Sequence, residues 1–206
     1  DTEAEDAAGG GHAHCGTMIY LGDNWPDRYR NTVFTNNIHG KRINNDILRR
    51  SGSGYLASHG PDIMRSRDSW FMGVTLQYGP DGSVFVIDWS DTGECHSVRN
   101  TQRHTGRIYR ISYGTPKRPE LNLKTATNER LVELLKHRND WLVRHARRIL
   151  QERAAAGVDL SHSLASLRSM IATESDVPRK LRALWGLHAV GGLGEVALLK
   201  HLNDES

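Results

Sequence analysis

The sequence is poor in the patterns that identify a class of protein by themselves. It has no apolar run of roughly 18 residues or more, so we expect no segment that spans a membrane. It has only two cysteines, Cys15 and Cys95, and neither belongs to a Cys-x-x-Cys pair, so structural zinc and c-type haem attachment both lack their local pattern. Gly79 and Gly82 belong to a Gly-Pro-Asp-Gly turn and not to a phosphate-binding loop.

A strong excess of one charge is also absent. The 206 residues carry a net charge of +3, and 37% hydrophobic with 25% charged residues is typical of a soluble, folded protein. Residues 1–114 hold 12 Lys and Arg against 13 Asp and Glu, whereas residues 115–206 hold 15 against 11. The asymmetry favours two units, of which the second has a solvated basic helix surface. The Trp and Tyr residues of the first unit follow a strand pattern, which favours a core over a nucleic-acid platform.

Short β-branched and aromatic runs dominate the first unit. Turn residues separate these runs every 8 to 12 residues or so, and helical periodicity is missing, which is typical of an all-β sandwich or propeller. We expect the stretch 49–54 to interrupt the sheet, and residues 60–62 to form a turn. The predicted strands cover residues 18–21, 32–35, 42–48, 55–59, 69–77, 83–89 and 107–111.

A polar loop, residues 88–103, connects the last two predicted strands, and loops on a β scaffold commonly carry function. Imidazole and carboxylate groups from this loop and from earlier loops could hold a metal or a substrate. The alternative is that they are ordinary loop residues bonded to backbone. The candidate ligand or metal site consists of His14, His39, Asp91 and His96.

The two cysteines each stand beside a histidine, as His14-Cys15 and Cys95-His96. A disulfide between Cys15 and Cys95 is the favoured interpretation, and in an entropic model it would stabilise the fold by roughly 4 kcal/mol. A metal or redox pair formed with the adjacent histidines is the second alternative. A Cys–His nucleophile is the third, since no orienting third group is evident.

The character of the chain changes after residue 114. Pro116 and Pro119 predict a linker over residues 115–127. Apolar residues then recur with helical spacing over residues 128–206. Residues 134–140 recur as residues 198–204 with six of seven identical, which indicates stacked helical repeats unless the similarity arose by chance. The pattern beginning at Asp140 and Arg144 resembles that of HEAT repeats, in which these two residues would tie adjacent repeats together. The apolar helix faces are Leu142, Ala146, Ile149 and Leu150; Leu160, Leu164, Leu167 and Ile171; and Leu181, Leu184 and His188.

Several long motifs together carry a family resemblance: HAHCGTMIYLGDNWPDRYRNTVFTNNIHGKRI, SGSGY, ASHGPD, YGPDGSVFVIDWSDTGECH and TGRIYRISYG. They resemble the membrane-bound dehydrogenase family of planctomycetes, and the resemblance covers roughly residues 11–206. It implies a six-bladed β-propeller similar to quinoprotein glucose dehydrogenase, then HEAT repeats, and often a c-type cytochrome domain.

The expected cofactor is a divalent metal, held by the candidate site, or a quinone, which the resemblance implies. Quinoprotein sugar dehydrogenases have closely spaced arginines before a Gly-Pro-Asp-Gly turn. Residues 70–74 hold none at the matching place, which speaks against the quinone, and the chain has no haem motif.

The expected architecture is therefore a partial β-propeller (its closing blades) over residues 1–114, a linker over 115–127, and a truncated HEAT-like solenoid over 128–206. The resemblance implies a fragment of a periplasmic sugar or alcohol dehydrogenase that passes electrons to a cytochrome module. The alternative is a non-catalytic glycan- or protein-binding propeller whose helical array docks a protein partner. Nucleic acid is not an expected partner.

Overall fold

The structure of this chain is a computed structural model, and it describes residues 13–89, 104–117, 119–202 and 204. The chain divides into two compact units, residues 1–118 and residues 119–206, which we call the β unit and the helical unit. No helix in the described part of the chain is both long and apolar enough to cross a membrane.

The β unit contains two antiparallel sheets, and in each sheet the strands are neighbours in chain order. Each of the seven predicted strands overlaps an observed one, although the ends differ. A single 3₁₀ turn, Asp27–Tyr29, lies between the first two strands. The four-stranded sheet consists of β1 (His14–Ile19), β2 (Val33–Asn37), β3 (Arg42–Ser51) and β4 (Gly54–Arg65), and the three-stranded sheet of β5 (Gly73–Tyr78), β6 (Val84–Asp88) and β7 (Ile108–Ile111).

The predicted partial β-propeller followed by a HEAT solenoid is wrong for the residues that the structure describes. They form two separate antiparallel sheets of four and three strands and five helices, with no closed or propeller-like sheet. Period-2 alternation and turn residues specify antiparallel neighbours, and these predictions are confirmed. The same signals carry no information about how successive sheets are arranged in space, because that depends on side chains far apart in the sequence.

The hairpin of β3 and β4 is longer than the sequence indicated. Residues 49–54 were predicted to interrupt the sheet, but they contain its hairpin turn, and Gly52 has the positive φ of 58° that a two-residue loop requires. The predicted turn at residues 60–62 lies inside β4. Pro61 is tolerated there because β4 is the last strand of the sheet and an edge strand can omit an N–H donor.

The strand β6 follows the alternation expected of a half-buried strand. Val84 and Val86 are fully buried, whereas Ile87 on the opposite face is 48% exposed. The preceding turn is also as predicted, since the amide of Gly82 donates to the carbonyl of Gly79 at 3.0 Å.

Tyr20, directly after β1, joins the parts of the β unit. Its ring is fully buried and stacks on Phe34 of β2, with centroids 5.3 Å apart. Its hydroxyl donates to the carbonyl of Gly82 at 2.8 Å, and accepts from the amides of Asn24 at 3.1 Å and Trp25 at 3.0 Å. Burial is the main cause that raises the pKa of Tyr20, so the group stays a neutral donor at physiological pH.

Two glycines let the sheets approach each other around a buried amide. The side chain of Asn36 in β2 is fully buried between Gly16 of β1 and Gly73 of β5. A methyl group on either glycine would come within 3.0 Å of that amide, and Gly16 also has a positive φ of 60°. The packing of sheet on sheet therefore requires glycine at both places.

The helical unit is built around one apolar core to which four of its helices contribute buried residues. Thr127, Asn139 and Asp176 accept hydrogen bonds from first-turn amides, which explains where three helices begin. The helices are α1 (Asn128–Leu134), α2 (Asp140–Ala155), α3 (Ser161–Thr173), α4 (Val177–Ala189) and α5 (Glu195–His201).

The predicted apolar faces are confirmed for α2 and α3, where Leu150 and Leu167 are fully buried. The predicted face of α4 is only partly correct, because Leu184 packs against the core but Leu181 and His188 are exposed. Leu181 is 38% exposed, and the helix buries Arg182, Ala183, Gly186 and Leu187 instead.

The short sequence repeat does not correspond to a structural repeat. Leu134 and Leu135 are buried at the end of α1, whereas Leu198 and Leu199 in α5 are 45% and 55% exposed. The same residue types are therefore buried in one segment and exposed in the other.

Asp140 ties helices together through a residue that the sequence did not indicate. Arg144 pairs with it inside the same helix, at 3.3 Å, but Arg182 of α4 reaches it at 3.0 Å. Arg182 also donates to the carbonyl of His137 at 3.1 Å, in the segment that follows α1. Carbonyls after a helix end need such donors, so Arg182 joins three helices.

Replacing Tyr20 by Phe removes only the hydroxyl, which leaves two amides and one carbonyl in the core with one fewer partner each. We expect the free energy of unfolding to fall by about 1–3 kcal/mol. Urea denaturation followed by tryptophan fluorescence measures it. Tyr55→Phe, on a side chain that is 63% exposed, is the control and should change little; an equal loss in both variants would contradict the role of Tyr20.

Candidate functional site

The structure describes two of the four residues of the predicted ligand or metal site, His14 and His39. His14 is an exposed residue at the start of β1, and it pairs with Asn37 at the end of β2. His39 follows in the turn after β2, so both imidazoles belong to the same end of the sheet. Asp91 and His96 lie outside the described residues. Within the described residues no three His, Cys, Asp or Glu side chains form a group suited to a metal, and the four-residue site stays a prediction.

Cys15 is partly buried in β1, and its thiol donates to the carbonyl of Gly73 at 3.4 Å. Burial raises the pKa of this thiol, which disfavours the thiolate and makes Cys15 a poor nucleophile. Its predicted disulfide partner, Cys95, lies outside the described residues, so that pairing stays a prediction.

The structure instead brings together a charged group that the sequence analysis missed. We call it the base cluster, because it lies at the base of the hairpin formed by β3 and β4. The antiparallel register of the two strands creates it by placing Arg42 opposite Arg65 and Asp46 opposite His59. Side chains opposite each other in such a pair lie on the same face and within contact distance. The base cluster consists of Arg42, Asp46, His59, Asp62 and Arg65.

His59 lies between two carboxylates. Its Nδ1 is 3.1 Å from Oδ1 of Asp46, and its Nε2 is 3.4 Å from Oδ1 of Asp62. The hydrogen bond from Nδ1 links β4 to β3 through Asp46, whereas Asp62 belongs to the same strand as His59, so the arrangement fits a link between the two strands.

Asp62 is the centre of the base cluster. Its side chain is 6% exposed, and that of Arg42, which lies 3.2 Å away, is 7% exposed. Arg65 donates from Nε to the same carboxylate oxygen at 2.8 Å, but is 66% exposed. The Arg42–Asp62 pair is thus a buried ion pair, and Arg65 covers it from the solvent side.

One signal in the sequence could have located part of the base cluster, the pair of Asp46 and His59. Asp46 and His59 are equally far from the turn residues Ser51 and Gly54, so placing a hairpin turn at Gly52 would have paired them. The glycines of residues 49–54 predict a break in the sheet, and that prediction leaves no pairing between Asp46 and His59.

Beyond the base cluster the hairpin extends into solvent, and we call residues 47–58 the arm. Along the arm Arg49 pairs with Leu56 and Arg50 pairs with Tyr55. Successive pairs lie on opposite faces of a hairpin, so each face presents one guanidinium beside one apolar side chain. Leu56 is 66% exposed and Tyr55 is 63% exposed, and the arm contains no acidic residue.

The outer edge of β4 is the second feature of the arm. In the described part of the chain β4 is hydrogen-bonded to a strand on one side only, that of β3. Its residues before Pro61 therefore offer backbone N–H and C=O groups along an open edge. Such an edge is a template for another strand.

Replacing Asp62 by Asn removes the carboxylate that neutralises the buried charge of Arg42. Because a buried charge that loses its counter-ion is costly, we expect the free energy of unfolding of the chain to fall by about 3 kcal/mol. Arg65→Gln is the matched control, because it removes only the exposed pair and should cost less than about 1 kcal/mol. Denaturation of both variants in urea measures the difference, and similar values for the two would show that the buried pair has no special role.

Comparison with known proteins assigns the β unit to a family but not to a function. The family model described as a domain of unknown function (DUF7133) matches residues 1–115. No curated protein matches the chain, and no solved structure matches it.

Proposed function

Because the chain belongs to the family of domains of unknown function DUF7133, whose model covers the β unit, we propose a function from the geometry of that unit. The β unit is a non-catalytic protein-binding module. Its arm takes up an extended, acidic segment of a partner protein by adding it as a strand beside β4.

The open edge of β4 is the observation that carries this proposal. Tyr55 to His59 precede Pro61 and belong to a strand that is paired on one side in the described residues. In strand addition the backbone bonds supply affinity, and the alternating side chains supply specificity. An added strand would also complete the pairing of an edge that is otherwise open to unwanted association.

The charge of the arm selects the partner's chemistry. Arg49 and Arg50 stand on opposite faces, and residues 47–58 include no Asp or Glu. A segment in which acidic and apolar residues alternate would meet a guanidinium and an apolar side chain on each face. Charge-assisted hydrogen bonds between guanidinium and carboxylate are stronger than neutral ones, so an acidic segment is favoured over a basic one.

The base cluster supports a binding role of the arm. An isolated two-stranded hairpin is only marginally stable in water. The ion pair of Asp62 with Arg42 and the hydrogen bond of His59 with Asp46 connect the two strands where the arm leaves the sheet. The base cluster therefore presents the arm in a defined direction.

A fluorescently labelled short peptide of alternating Glu and Val tests the proposal by anisotropy at low salt. We expect it to bind the full chain, and the combined change Arg49→Glu and Arg50→Glu to weaken binding by about tenfold or more, since attraction becomes repulsion. Arg67→Glu, an exposed charge change elsewhere in the β unit, is the matched control.

Two further peptides define the outcome. A Lys-Val peptide and a Glu-Val peptide interrupted by proline should bind poorly, because the first repels the arginines and the second cannot form a ladder. Equal binding of all three peptides would overturn strand addition. Binding of a glycan, or only self-association in sedimentation experiments, would replace the partner protein by another occupant.

The motifs shared with the planctomycete dehydrogenase family favour a second function, a periplasmic sugar or alcohol dehydrogenase that transfers electrons to a cytochrome module. The chemistry would then depend on the polar stretch 88–103, which the sequence predicts to be a loop and which holds Asp91 and His96. If this function is correct, the full chain supplied with a divalent metal or a quinone will reduce a dye acceptor in the presence of a sugar or alcohol. Asp91→Asn and His96→Gln will lower that rate, whereas Arg49→Glu will not. No reduction with any substrate would rule the second function out for this chain.

A further inference from the structure

A groove runs along one side of α2 in the helical unit, and its volume is about 570 Å³. Sites for small molecules commonly enclose roughly 300–1,000 Å³. We call this groove along α2 the α2 groove. Trp141, His145, Arg148 and Ile149 share one face of the helix because they recur with a spacing of three and four residues. The segment before α1 supplies the opposite wall.

The first property of the α2 groove is a flat apolar surface. The rings of Trp141 and His145 stack with centroids 3.7 Å apart and planes 21° apart. Leu123, Ile149 and Val158 complete the apolar part of the lining. Rings of this kind favour contact with another flat apolar body.

The orientation of His145 gives this surface one defined polar atom. Its Nδ1 lies 2.8 Å from the carbonyl oxygen of Trp141, an acceptor, so Nδ1 carries a proton that it donates there. In the neutral ring Nε2 is therefore the nitrogen that can accept a hydrogen bond.

The second property is an excess of positive charge. The α2 groove is lined by Lys124, Arg148 and Arg153 against the single carboxylate of Glu152. Arg148 pairs with Glu152 at 3.2 Å, and both side chains are 62% exposed. Because Glu152 neutralises Arg148, the excess positive charge of the groove comes from Lys124 and Arg153.

Arg153 is the cation best placed to hold an anion. It donates to Oδ1 of Asn128 at 2.5 Å and to the carbonyl of Ala126 at 2.7 Å, and both acceptors are uncharged. No carboxylate in the described ranges lies within ion-pair distance of it. These bonds fix the guanidinium while occupying two of its five N–H donors. A positioned guanidinium with donors to spare is suited to a carboxylate or similar anion.

We propose that the α2 groove binds a small organic anion with a flat apolar body, of the class of aromatic carboxylates. The body of the ligand packs on the ring pair of Trp141 and His145, and its anionic group is held by Arg153 and Lys124. Neither property alone would select this class, since the apolar lining fits any hydrophobic molecule and the cations fit any anion. The combination favours a molecule that has both parts.

Isothermal titration of the full chain with naphthalene-2-carboxylate tests the proposal. We expect saturable binding at one site that weakens as salt is added, because the charges are partly exposed. The uncharged analogue 2-naphthylmethanol should bind about tenfold more weakly or worse, since it lacks the anion that the cations hold. Equal affinities for the two compounds would overturn the proposal.

Variants assign the charge to its residues. Lys124→Gln and Arg153→Gln should each weaken naphthalene-2-carboxylate binding by about fivefold or more. Arg153→Gln also disturbs the bonds to Asn128 and Ala126. The side chain of Lys124 is exposed and makes no hydrogen bond or ion pair within the described residues, so Lys124→Gln separates binding from folding. Arg179→Gln removes the same charge from α4, away from the α2 groove, and should leave the affinity unchanged.

The indole N–H signal of Trp141 in a ¹H–¹⁵N NMR spectrum, assigned with Trp141→Phe, locates the bound molecule. We expect this signal to shift on addition of naphthalene-2-carboxylate; an unchanged signal would place the ligand elsewhere. Displacement of the ligand by the acidic Glu-Val peptide would make an acidic segment the occupant and overturn the proposal. Arg49→Glu tests only the arm, so failure of strand addition leaves this result intact.

Discussion

The hydroxyl of Tyr20 is the contact on which the β unit depends. It bonds the turn between β5 and β6 through Gly82, and the loop after β1 through the amides of Asn24 and Trp25. Without that hydroxyl, three backbone groups would be buried with one bond fewer, and buried polar groups are costly when unpaired. The stacking of Tyr20 on Phe34 then places the apolar core beside the same point. The close approach of the sheets around Asn36 is possible only because Gly16 and Gly73 lack side chains.

The packing around Tyr20 and Asn36 gives the long hairpin a folded unit from which it extends into water. The buried pair of Arg42 and Asp62, with His59 between its two carboxylates, holds β3 and β4 where the sheet ends. Buried ion pairs contribute little to net stability compared with apolar packing, but they define one register strongly, because any slip would separate the charges. The base cluster therefore contributes more to the register and direction of the hairpin than to the stability of the fold. What it presents, Tyr55 and Leu56 beside arginines, has the character of a contact surface.

The helical unit uses the same kinds of group for two purposes. Arg182 is buried, forms an ion pair with Asp140 and donates to the carbonyl of His137. Its charge is therefore neutralised by a contact that joins helices. Arg153 is partly exposed and its protein acceptors are neutral, so its charge remains available at the α2 groove. The difference between a structural and a binding arginine thus lies in the charge of its partners and not in the residue type.

The order of the strands, the faces of α2 and α3 and the change from sheet to helix could be read from the sequence, because each depends on residues within a few positions of one another. The predicted β-propeller and HEAT solenoid were wrong, because the arrangement of sheets and helices depends on how elements distant in the sequence pack. Local sequence also did not predict burial where the packing partners are distant in the chain. Leu198 and Leu199 are exposed although they repeat the buried Leu134 and Leu135, and α4 buries Arg182 where the apolar spacing predicted Leu181. Composition and periodicity determined which segments are strands and helices. Only the tertiary structure decided that Asp46, His59 and Asp62 form one cluster, because their contact arises from the register of a hairpin and each interaction acts over only a few ångströms.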